Sequence, residues 1–171
     1  MSITVQKSIE ELLASEGVIT YKVRGKSMEP MINSIHDLVT IRKIDVSDKF
    51  TVNDVVLYRQ KGSLTLHRIV DVSQDGTYVL LGDNCSRFEY GILRQDIIGI
   101  LIRFKHNGKI FDTHDPKYIK YINELNSVRS VRMARKLFYD IIIQHTRFLH
   151  PSFHNRMKAI MKKLIILKLD F

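Results

Sequence analysis

At 171 residues, with 44% apolar and 26% charged residues, the chain is long enough to bury one full core, and its composition is that of an ordinary globular protein. Its single cysteine, Cys85, excludes an intramolecular disulfide framework and favours a reducing compartment, where a small, partly buried residue is the expected role. The net charge of +9 is unevenly placed: residues 1–116 balance at 15 basic and 15 acidic, whereas residues 117–171 carry 12 basic against 3 acidic. Two parts with different tasks are therefore expected, a neutral domain over 1–116 and a basic extension over 117–171.

Residues 5–16, VQKSIEELLASE, place Val5, Ile9, Leu12 and Leu13 at helical spacing, and Gly17 ends that helix. Glu10, Glu11 and Glu16 leave no room for the apolar segment of a secretory signal. The pattern from Val18 to Arg24 predicts a strand that runs into Gly25. Further strands are expected at Leu38–Ile44, Val55–Arg59, Leu64–Val72, Tyr78–Leu81 and Ile97–Lys105. Asp75-Gly76 signals a hairpin between two of these, and Asn107-Gly108 signals another from Lys105 to Ile110. Past Asp115-Pro116 the period changes to three and four, with Val128, Val131, Leu137, Phe138 and Ile141 among interleaved arginines, which is an amphipathic helix. Pro151 separates it from a second basic helix expected at roughly 152–168, striped by Met157, Ile160, Met161, Leu164 and Ile165. No run approaches the ~20 apolar residues needed to span a bilayer, so a soluble or peripheral cytoplasmic protein is expected. The fold class that follows is α+β, mainly β, with a C-terminal helical extension.

Three short segments carry the chemistry. Gly25-Lys26-Ser27-Met28-Glu29-Pro30 offers a hydroxyl in a turn, where Gly25 permits unusual backbone angles and Pro30 stiffens the exit. Such a turn can expose Ser27 and leave backbone N–H groups free for an oxyanion, with Met28 packing beneath the nucleophile or flanking the substrate groove. Leu66-His67-Arg68-Ile69-Val70 offers an imidazole on a strand, and His67 is the natural general base near neutral pH. Leu81-Gly82-Asp83-Asn84 offers a carboxylate at a strand end, and Glu89 stands six residues on as a second one. A serine hydroxyl is a poor nucleophile until a base takes its proton and a third group orients that base. No close His/Cys pair has metal-ligand spacing, so neither a metal nor another cofactor is implied.

GKSMEP, DVVLYR, HRIV and LGDN together resemble the ordered boxes shared by type I signal peptidases and the self-cleaving phage and SOS repressors, over approximately residues 20–105. The resemblance implies a largely β fold with Ser27 as nucleophile. It implies His67 as base, in the manner of the histidine-using branch, and Asp83 as its orienting or electrostatic partner, with Gly25, Met28, Asn84 and Glu89 supporting. Gly25 stands where some members have an oxyanion-assisting hydroxyl, so backbone N–H groups, including that of Ser27, are expected to hold the oxyanion. His36-Asp37 and Asn53-Asp54 replace the family's usual Gly-Asp pairs. The segment before residue 20 holds neither a membrane anchor nor a helix-turn-helix, which argues against ordinary export-signal processing and ordinary repression. The expectation is a serine endopeptidase that trims a precursor or leader peptide. The alternatives are an inactive peptide-binding module of the same fold, or a regulator acting through its basic tail. That tail suits an anionic membrane surface or an acidic partner, and nucleic acid is disfavoured because no recognition-helix pattern is present.

Overall fold

The computed structural model describes residues 8–146 and 151–156, apart from the side chains of residues 135 and 136. Helix α1 (Ile9–Glu16) begins at a capping box, in which the Ser8 hydroxyl accepts from the Glu11 N–H while the Glu11 carboxylate accepts from the Ser8 N–H. Gly17 closes it at φ 73°, and the chain enters β1 (Val18–Tyr21). There follow β2 (Leu38–Lys43), β3 (Val55–Gln60), β4 (Ser63–Val72), β5 (Tyr78–Leu81) and β6 (Glu89–Ile92). A 3₁₀ turn (Arg94–Asp96) leads into β7 (Ile97–His106) and β8 (Lys109–Asp112), and α2 (Pro116–Thr146) follows. The fold is mainly β within the α+β class, as the periodicity predicts.

All pairings in the eight-stranded sheet are antiparallel, in the order β1-β2-β7-β3-β4-β5-β6, with β8 added to β7. The two ten-residue strands do the bending. β4 pairs with β3 through Ser63–Arg68 and with β5 from Arg68 onward, so the edge of Ser63–Leu66 that faces away from β3 has no strand partner among the described residues. Antiparallel pairing keeps facing residues on one side of the sheet, so the two faces build two cores. One gathers Leu13, Ile41, Leu57, Leu101 and Phe104 with Met28, Met31 and Ile32 of the serine turn. The other gathers Phe50, Val56, Tyr58, Ile69, Leu80 and Ile97.

The structure differs from the sequence reading in three places, the first being β1, which ends at Tyr21 rather than running on to Arg24. β6 is not signalled by Glu89-Tyr90-Gly91-Ile92, a four-residue edge strand with little alternation and a glycine at φ 69°. The charge-based boundary at residue 116 does not coincide with a packing boundary. Tyr118, Tyr121 and Leu125 of α2 are at most 3% exposed and belong to the first core. Residues 151–156 are helical, and the rest of the second basic helix lies outside the described residues.

Beneath α2 lies Arg68, wholly buried. Its Nε and Nη2 donate to the two oxygens of Asp83 at 2.8 and 2.7 Å, and Nη1 donates to the Asn53 carbonyl at 2.9 Å and the Tyr118 hydroxyl at 3.0 Å. The Tyr121 hydroxyl donates to Asp83 at 3.0 Å. Removing one partner of such a pair strands a buried charge, at a cost of about 3–5 kcal/mol. Asp83→Ala is therefore expected to lower unfolding free energy by roughly that amount in chemical denaturation, and Tyr121→Phe by about 1 kcal/mol, the worth of one hydrogen bond. Equal stability of Asp83→Ala and the parent would contradict this account.

Candidate active site

The serine turn is fixed from both ends. Gly25 sits at φ 91°, a conformation that side-chain-bearing residues rarely adopt, and the chain then turns through Ser27–Met31. Met28, Met31 and Ile32, spaced three and four apart, are 4%, 0% and 1% exposed, so they plug the turn into the first core and leave Ser27 half-buried at its rim. The Ile32 N–H to Met28 carbonyl bond (3.0 Å) closes the turn. From the other side, the Asn84 N–H donates to the Ser27 carbonyl at 2.7 Å and its side-chain amide donates to the Lys26 carbonyl at 3.1 Å. The serine box and the Gly-Asp-Asn box thus meet through Asn84. Arg68 reaches the same turn, its Nη2 lying 3.3 Å from Met31 Sδ.

His67 arrives from β4. The β4–β5 register pairs Arg68 with Leu81, which sets His67 beside Gly82. A Cβ placed on Gly82 would lie 2.7 Å from the Ser27 carbonyl oxygen, 2.8 Å from Cys85 Sγ and 2.9 Å from His67 Nε2. Glycine is required there because serine turn, thiol and imidazole converge on one point. Nε2 therefore faces the serine turn, although no hydrogen bond joins it to the Ser27 hydroxyl. The other ring nitrogen faces away. His67 Nδ1 lies 3.2 Å from Glu89 Oε2 and 3.1 Å from the Tyr58 hydroxyl, and that hydroxyl donates to the same Glu89 oxygen.

The carboxylates are therefore arranged differently from the expectation. Asp83 makes no hydrogen bond to His67, because both its oxygens are occupied by Arg68 and Tyr121 on the opposite side of β4. It acts on His67 through space only. The carboxylate at the imidazole is Glu89, which neighbours the ring because β6 pairs Glu89 with Leu80. Sequence reading missed Tyr58, Arg68, Tyr118 and Tyr121. Tyr58 and Arg68 stand inside the DVVLYR and HRIV segments, but only their cross-strand neighbours reveal their roles. Asp37 proves to be a structural lock: 1% exposed, it accepts from the Asn33 N–H at 2.7 Å and pairs with His106 at 2.6 Å, tying the loop after the serine turn to the β7–β8 hairpin.

A groove of about 500 Å³ opens beside Ser27, bordered by residues 21–25 on one wall and by Leu64, Thr65 and Leu66 on the other, with Met28, Ile32 and Leu57 beneath. A larger groove of about 990 Å³ lies elsewhere, between α1 and the β4–β5 turn, and holds none of the serine, histidine or carboxylate groups above. The smaller one is the one that Ser27 lines. Among the described residues no cluster of three His, Cys, Asp or Glu forms a metal site, and no helix is long and apolar enough to cross a membrane.

Residues 2–102 match the Peptidase S24-like family. The chain belongs to that family. Neither the comparison with curated proteins nor that with solved structures finds a match. The family match ends before α2, so Tyr118 and Tyr121 lie outside the matched residues.

Burial pushes the His67 imidazole down to about 4, against a smaller upward pull from the Asp83 charge, and burial raises the Glu89 carboxyl. His67 is thus neutral throughout the near-neutral range. Because its folded pKa lies below the ordinary 6.5, the unfolded chain binds more protons between pH 6.5 and 4, and stability falls as pH drops through that window. The loss attributable to His67 amounts to about 3 kcal/mol, partly offset at the acid end by Glu89, whose raised pKa acts in the opposite sense. An NMR titration of the His67 ring is expected to show a midpoint near 4, and His67→Gln should flatten the acid limb of stability. A midpoint near 6.5 would refute the desolvation argument.

Proposed function

We propose that this S24-like chain is a serine endopeptidase that trims a precursor or leader peptide, with Ser27 as nucleophile and His67 as general base. The observation that carries the reading is the convergence of the serine turn and His67 Nε2 on Gly82, with Ser27 itself lining a groove. With Nδ1–H donating to Glu89, the free lone pair lies on Nε2, the nitrogen that faces the serine turn. Nε2 takes the Ser27 proton as Oγ attacks the peptide carbonyl, and returns it to the departing amine. Water then hydrolyses the acyl-enzyme with the same base. The Ser27 N–H, which makes no hydrogen bond among the described residues, is suited to receive the oxyanion. The groove also supports the reading, because the unpaired edge at Ser63–Leu66 accepts an extended chain as an added strand.

The missing Ser27–His67 hydrogen bond favours one second reading, a peptide-binding module without turnover. Digestion of a proteome-derived peptide library, read by mass spectrometry, decides between them. Cleavage is expected for the parent protein, with a loss of at least about 10³-fold in Ser27→Ala and His67→Ala and unchanged unfolding of Ser27→Ala. Binding of peptides without any cleavage by the parent would establish the module instead.

We further propose that the basic extension rests on an anionic membrane surface. Support comes from α2, where Val131, Leu137, Phe138 and Ile141 are 45–59% exposed in a part of the chain rich in cations. Sedimentation with anionic vesicles is expected to carry the protein down, and Leu137→Gln/Phe138→Gln/Ile141→Gln to release it. Equal sedimentation of that triple variant would remove α2 from membrane contact.

A further inference from the structure

The wall of the Ser27 groove carries charge of one sign. After β1 the chain continues unpaired through Lys22, Val23 and Arg24, with alternate residues facing opposite ways: Tyr21 and Val23 are half-buried against the first core, while Lys22 and Arg24 are exposed. Lys22 and Arg24 are the charged residues among those lining the groove, and exposed Lys26 follows next to the nucleophile. Elsewhere on the sheet Arg42, Arg59 and Arg103 each face a carboxylate, Asp48, Glu10 and Asp112 in turn. Among the described residues no carboxylate pairs with Lys22, Arg24 or Lys26. The floor is apolar, built from Met28, Ile32, Leu57 and Leu66. Two cations without a carboxylate partner among the described residues, Lys22 and Arg24, thus edge an apolar slot whose far wall, Leu64–Leu66, offers an open strand edge.

We propose that this groove selects an extended peptide with apolar side chains at alternate positions and acidic residues flanking them. The proposal rests on the groove being the substrate site. Apolar side chains, spaced two apart along the strand, enter the slot, while carboxylates on the intervening positions meet Lys22 and Arg24 at the solvent side. Cations at a rim contribute mainly to encounter and to choice of partner, so discrimination depends on salt. Each exposed pair contributes about 0.5 kcal/mol, so two of them imply a preference of about fivefold for an acidic over a neutral flank.

The test uses the Ser27→Ala protein, which separates recognition from turnover. Three fluorescein-labelled decapeptides share an alternating Val/Ala centre and differ in having paired Glu, Gln or Lys flanks. By fluorescence anisotropy at low ionic strength, the Glu peptide is expected to bind about fivefold tighter than the Gln peptide and more tightly still than the Lys peptide. The order should collapse towards equality in 1 M salt. Adding Lys22→Glu/Arg24→Glu should invert it, whereas adding Lys117→Glu/Lys120→Glu, the same charge change on α2, should leave it unchanged. Equal binding of the three peptides, binding of none, or inversion by the α2 variant would each overturn the proposal, the last by tracing the preference to net charge. The peptidase reading fails separately. Charge-ordered binding with no cleavage by the parent would remove that reading alone, and cleavage without charge order would remove this proposal alone.

Discussion

The buried ion pair between Arg68 and Asp83 is the constraint on which the site depends. Arg68 lies in β4 directly after His67, and Asp83 lies directly after Gly82, so the pair fixes the two residues that converge on the serine turn. The same guanidinium touches Met31 of that turn and the Tyr118 hydroxyl of α2. One side chain therefore spans the strand of His67, the loop of Gly82, the serine turn and the C-terminal helix. Burial opposes its charge, and the Asp83 carboxylate outweighs that opposition, leaving the guanidinium pKa well above its ordinary value. Such a pair need not raise net stability over an apolar substitute. It does permit only one arrangement of its neighbours, because any slip leaves a charge stranded.

Once Asp83 is committed to this structural pair, the imidazole needs a different carboxylate, and β6 supplies Glu89. The two acids sit on opposite sides of β4, a consequence of strand geometry: His67 and Arg68 are consecutive, so their side chains face opposite ways. A single aspartate at the end of β5 is poorly placed to serve both. The division has an electrical consequence. The Asp83 field is too weak to offset the desolvation of His67, so the ring is held as a neutral acceptor. A neutral imidazole with one nitrogen engaged and the other facing a hydroxyl-bearing turn is the starting state that proton abstraction requires.

Much of this was legible in the sequence, for identifiable reasons. The strands that carry the site read clearly because each is a short apolar run bounded by a turn, as in Tyr78–Leu81, predicted to the residue. Ser27 and His67 stood out because turn chemistry and box spacing are local properties. The partner of His67 was not local. Glu89 depends on the pairing of β6 with β5, a four-residue edge strand whose register no alternation announces. Asn84 could be named as a supporting residue, but its work, holding the serine turn by two hydrogen bonds, appears only once the boxes meet in space. Arg68 illustrates the limit most sharply, because an arginine inside an apolar strand reads as solvent-facing until a buried carboxylate and two tyrosines surround it.

Charge and packing divide this chain at different places, and the difference bears on how the helix relates to the site. Composition separates residues 117–171 from the rest as a basic segment, yet the inner face of α2 places Tyr118, Tyr121 and Leu125 in the first core, beside Leu57, Leu66 and Met28. Those residues lie outside the family match. Tyr121 remains a donor because burial, and then the nearby Asp83 charge, hold its hydroxyl pKa far above the ordinary value. The helix thereby has two separable faces. Its inner face supplies Asp83 with a hydroxyl donor in addition to Arg68, while its outer face bears exposed apolar side chains. Displacement of the helix would uncover the Arg68–Asp83 pair to water, weaken the attraction that holds it, and loosen Gly82 between His67 and the serine turn. The helix is thus connected to the geometry at Ser27 through two tyrosine hydroxyls rather than through a flexible linker.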